Sequence, residues 1–172
     1  MTITWREAIQ LWEEQENKIR AWRQNLIKEA ENIRNSIEEK LNAPQDKTEI
    51  RCKDKHYNRR YVEIVDIVYQ DIGINIEQAF TSSGELRFYI SILLEKGTNT
   101  HPKQAFNLPI ALRFENKAIQ YALWYTENDT PDKWYDNKDE FINIALNQFR
   151  KHLEFDPIEG FDKKEKIGFL AN

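Results

Sequence analysis

Three histidines and one cysteine are the side chains best suited to hold a transition metal, or to act as a nucleophile with its base. His56, His101 and His152 are far apart in the sequence, and Cys52 with His56 is the one close pairing. A Cys-x-x-x-His pair supplies two ligands where zinc needs three or four, so no metal site is assigned. Carboxylates offer acid–base chemistry instead. Glu63 and Asp66 interrupt an apolar strand, either as a paired acid and base or as charges guarding a sheet edge. The acidic run Asp129, Asp132, Asp136, Asp139 and Glu140 reads as a helix cap and a solvated face. A sheet-lined pocket would draw its polar groups from Tyr61, Glu63, Tyr89 and Tyr121.

Glu115-Asn116-Lys117 follows the strand IALRF. A strand ending in Glu-x-Lys resembles the core of metal-dependent nucleases of the PD-(D/E)xK type, in which carboxylates hold the metal and the lysine assists the attacking water. The resemblance covers three residues. The preceding strand has no acidic partner, and Pro131-Asp132 comes after it rather than before, so the stretch reads as a tight hairpin turn. The chain carries no glycine-rich phosphate loop, no Gly-x-Ser-x-Gly elbow and no His-Glu-x-x-His. No catalytic residue is assigned and no cofactor is expected.

Binding chemistry is better represented. Lys53, Lys55, Arg59 and Arg60 interleave with Tyr57, the composition of a patch that tracks phosphates and stacks bases. The chain as a whole is acidic, with a formal charge of −4, so nucleic acid is the alternative partner rather than the favoured one. Trp5, Trp12 and Trp22 fall within one helical stretch at its apolar spacing. Trp22 is assigned to the core. Trp5, Ile9 and Trp12 are assigned to a partner-binding face, because aromatic side chains are favoured at interfaces.

The elements that position these residues follow from hydrophobic period. Thr4 with Glu7 makes a capping box, and apolar residues then recur from Trp5 to Leu41, at steps of three and four from Ile19 onward, with a lapse over Glu13–Asn17 and Pro44 beyond. A helix over residues 4–42 would be roughly 55 Å long. A compact fold of this chain length is about 35 Å across, so the helix must break near Glu13–Asn17 or overhang. Residues 43–60 read as a basic connector with a short strand near Glu49. From Tyr61 the period drops to two, and short connections predict an antiparallel sheet over 61–126, including a strand at IGINIEQAF. Phe141, Ile142, Ala145, Leu146 and Phe149 make one face of a helix over 137–154, and 155–172 form a tail with Ile167, Phe169 and Leu170.

The expected architecture is a single α+β domain over 1–172. It has a long N-terminal helix, an antiparallel meander of about five strands with one buried face, and a C-terminal helix packed on one sheet face. One cysteine excludes an intramolecular disulfide. Glu7 and Glu13 interrupt any apolar leader, and no stretch has the ~18 apolar residues of a membrane span, so a cytoplasmic setting is expected. The chain reads as a soluble binding or assembly protein rather than an enzyme. It would act through its long helix on a second copy or another protein, with a small sheet-lined ligand or enzyme site as a further alternative.

Overall fold

The computed structural model describes residues 2–52, 55–65, 79–97, 103–124, 130–131 and 133–155. Lys53, Asp66, His101, Asp129, Asp132 and the cluster Ile167, Phe169 and Leu170 lie outside them, as does most of the strand expected at IGINIEQAF. Of that strand only Ala79 and Phe80 are described. Ala79 is helical and Phe80 makes an isolated bridge to Leu86, so the alternation does not give a strand at these two positions.

The chain begins with α1, Trp5–Lys40. Its capping box is formed in both directions: Thr4 Oγ1 accepts from the Glu7 amide at 3.3 Å, and the Thr4 amide donates to Glu7 Oε2 at 2.8 Å. Asn42 ends the helix in the left-handed region at φ 48°, and Ala43 N–H donates back to the Glu38 carbonyl at 3.1 Å. The helix does not break at Glu13–Asn17. Its length of about 54 Å is resolved by overhang.

Beyond α1, strands β1 (Thr48–Cys52) and β2 (Lys55–Arg59) pair antiparallel as a separate hairpin. The basic stretch is therefore mostly strand. Next come β3 (Val62–Val65), β4 (Leu86–Leu94), β5 (Gln104–Glu115) and β6 (Ala118–Leu123), paired in chain order as a four-stranded antiparallel meander. The Glu-Asn-Lys stretch is a hairpin turn. Glu115 pairs with Ala118, and Asn116 and Lys117 between them both have positive φ, which matches the twist of the two strands. Helix α2, Lys138–Leu153, starts at an Asn137 N-cap whose side chain accepts from the Glu140 amide at 2.9 Å.

The core lies between one sheet face and the two helices. Leu26, Ala30, Ile33 and Ile37 of α1 meet Phe88, Ile90, Ile110 and Leu112 of the sheet, with Phe141, Ile142 and Ala145 of α2. Tyr121 stacks on Phe141 at 5.6 Å. The opposite sheet face is also partly buried, contrary to the one-sided expectation. Ala111, Ala122 and Trp124 form a second small cluster there, with Tyr89 and Trp134 against it. Alternation reports two faces but not what covers each of them. Among the described residues no helix is long and apolar enough to cross a membrane.

Candidate protein-docking surface

Helix α1 divides into two halves by burial. Its fully buried residues begin at Leu26, whereas residues 5–21 are exposed apart from a half-buried Ala8. That first half is an arm of about 25 Å projecting from the body. It keeps the apolar stripe of the buried half, interrupted at Gln15. Trp5, Ala8, Trp12 and Ile19 continue the line of Leu26, Ala30, Ile33 and Ile37 at helical spacing. Trp5 is 82% exposed, Trp12 58% and Leu11 56%, with Ile3, Ile9 and Ile19 also exposed. A stripe that is core in one half of a helix is bare in the other.

The root of the arm is held rigidly. Trp22 is half-buried and packs between Phe80 at 5.8 Å and Phe114 at 6.3 Å, at the margin of the core to which the sequence assigns it. Its ring also lies on Gly84, where an added Cβ would meet the ring at 2.7 Å. Arg23 sits over Phe80 at 5.2 Å. At the tip, the Glu7 carboxyl is held below the usual carboxylate range, because the Thr4 amide and hydroxyl both donate to it. The arm is thus fixed in direction at its root and capped at its end.

The residues assigned to nucleic acid are placed differently. Arg59 is 7% exposed, and its guanidinium donates to Ser91 Oγ at 3.1 Å, the Ser91 carbonyl at 2.9 Å and the Arg60 carbonyl at 3.0 Å. Burial draws its pKa down, with Glu63 nearby opposing the shift. Arg60 makes two bonds, of 3.1 and 2.7 Å, to the buried carboxylate of Glu38 on α1. The Arg59 guanidinium is thus buried against Ser91, whereas that of Arg60 ties the chain after β2 to α1 and stays about a third exposed. Lys55 and Tyr57 lie on β2, and Lys53 is outside the described residues.

Of the remaining chemistry-capable residues, His56 and Tyr61 are joined through Glu49, Lys103 and Glu95, while Glu63, Tyr89 and Tyr121 are divided between the two sheet faces. His56 Nδ1 contacts the Glu49 carboxylate across the hairpin. Tyr61 bonds to Glu95, and that carboxylate bond is the main reason its pKa is raised. Lys103 joins the same group, with its ammonium 3.3 Å from Glu95 and 2.6 Å from the Glu49 carbonyl. Glu63 and Tyr89 occupy the sheet face away from the helices. Tyr121 occupies the other face and donates to Glu29 Oε1 of α1 at 2.8 Å, while burial pushes its pKa up. Among the described residues no three of His, Cys, Asp and Glu come together as a metal site.

Two features were missed by reading residues one at a time. Leu11 belongs to the exposed apolar set although it lies off the stripe. Arg87 over Trp124 at 5.7 Å and Arg113 over Trp134 at 4.1 Å form pairs brought together only by strand register and the chain after β6. Compared with known proteins, the chain matches no family model, no curated protein and no solved structure. Its own geometry carries the functional reading.

Proposed function

We propose that the protein works as an assembly element, with the exposed half of α1 as the part that docks. The observation that carries this reading is the pair Trp5 and Trp12, exposed on the stripe that serves as core further along the same helix. Leaving two tryptophans in water forgoes several kcal/mol of burial, at about 25 cal/mol per Å² of apolar surface. An unsupported helix of this length is also marginal in water, so a partner laid along the arm would order it as well as cover it. Trp5, Ile9 and Trp12 are the residues that such a partner would contact. The body beneath the arm supplies a rigid mount, and the reading requires no catalysis.

The test compares the wild-type chain with a Trp5→Ala, Trp12→Ala double variant in a fresh extract of the cells that make it. The wild type should elute well above its chain mass of 20.6 kDa, and the variant at that mass. Both should fold and melt cooperatively, because neither tryptophan touches the core, with the assembled wild type the higher of the two. A wild type that elutes at its chain mass in the extract would contradict the reading.

A further inference from the structure

The arm carries more apolar surface than its stripe accounts for. Written as heptads with Trp5 at position a, the arm places Trp5, Trp12 and Ile19 at a, and Ala8, Gln15 and Trp22 at d. Ile9 then falls at e and Leu11 at g, on opposite flanks of the seam, and both are exposed. Glu7, Glu13 and Glu14 fall at b and c, away from the seam.

We propose that the occupant of the arm is a second copy of this chain, paired antiparallel with its two-fold axis level with residue 10, on the side of the helix away from the Gln10 side chain. This rests on the assembly reading above and names its partner. In that register each Trp12 lies over the other copy's Ala8, the largest side chain against the smallest, and symmetry makes the contact twice. Antiparallel helices set g against g and e against e. Leu11 therefore meets Leu11 and Ile9 meets Ile9, which accounts for the apolar residue that sits off the stripe. A parallel pair would instead set g against the following e, opposing Leu11 to the carboxylate of Glu16. The register keeps the overlap within the exposed residues of the arm. The first residues of one arm end opposite Lys18 of the other, short of Trp22 where the body begins.

The area fits the size of interface required. Trp5 and Trp12 expose about 300 Å² between them, and Ile3, Ile9 and Leu11 roughly 200 Å² more. That is about the apolar share of one side of a standard interface, some 800 Å² per partner.

The test is light scattering on the purified full chain during size exclusion, with Leu11→Glu and Leu11→Lys variants run singly and mixed. Leu11 is exposed in the single chain, so both variants should match the circular dichroism and melting temperature of the wild type diluted to monomer. The expected result is a wild type at twice 20.6 kDa. Each variant alone should associate at least about tenfold more weakly, because like charges are then set face to face. Their equimolar mixture should recover the doubled mass. A parallel pair would behave otherwise, with Leu11→Lys strengthened by Glu16, and that result would overturn the proposal. A mixture that stays monomeric would do so too. A wild type that is monomeric when pure but large in the cell extract would overturn the second copy and leave the assembly reading standing. Monomer in both would remove both.

Discussion

Gly84 shows how a single residue makes room for the root of the arm. It has φ 85°, a conformation costly for any residue with a Cβ, and the Trp22 ring occupies the space a Cβ would need. Gly84→Ala should therefore destabilise the protein by roughly 2–4 kcal/mol, combining the backbone strain with displacement of the ring. At roughly 2–4 °C per kcal/mol for a chain of this size, the loss should be plain in a thermal melt. A melt within a degree of wild type would show that Trp22 is not seated as described. Ser82-Ser83-Gly84 reads as a turn from the sequence alone. Its contact with Trp22 does not, because sixty residues of chain separate the two and only the fold brings them together. The same holds for Arg59 and Arg60. Their sequence neighbourhood is basic and aromatic, but their partners, Ser91 and Glu38, are distant in the chain.

Among the elements, α1 was the most legible. Its capping box, its end before Pro44 and its excess length all follow from local chemistry, and the structure resolves the length by overhang. The β5–β6 turn and the N-terminus of α2 were legible for the same reason, since caps and tight turns are decided within a few residues. The hairpin β1–β2 was harder to read. Its residues are charged, and its cohesion comes from cross-strand pairing and from groups outside it. Arg60, just beyond β2, is one of those ties. Arg60→Ala leaves the buried Glu38 carboxylate without its guanidinium. It should cost about 2–3 kcal/mol, less than a fully buried pair because Arg60 is itself about a third exposed. Chemical denaturation should show a lowered midpoint with an unchanged slope. An unchanged midpoint would mean that the Glu38 pairing contributes nothing to holding the sheet on α1.

At the scale of the whole molecule, the body and the arm answer to different physics. The body is closed: two helices cover one sheet face, Phe88, Phe141 and Ile110 are fully buried, and Arg59 and Lys103 are each held by several bonds. The arm is open. It has a cap, a packed root and an exposed apolar stripe, and that exposure is what the docking proposal rests on. The heptad placement of Trp5, Trp12 and Leu11 could be counted from the sequence. Their exposure could not, because periodicity states that a face is apolar and not what faces it.

The central claim is that this stripe is covered by protein in the working state. It is tested most directly by photo-cross-linking in the cell that makes the chain, from a photoreactive side chain placed at Trp12 and, as a control, at Gln10. Both positions are exposed on the arm, and they lie on opposite sides of it. The account predicts discrete protein adducts from position 12 and none from position 10. No adduct from either position, or the same adducts from both, would contradict it.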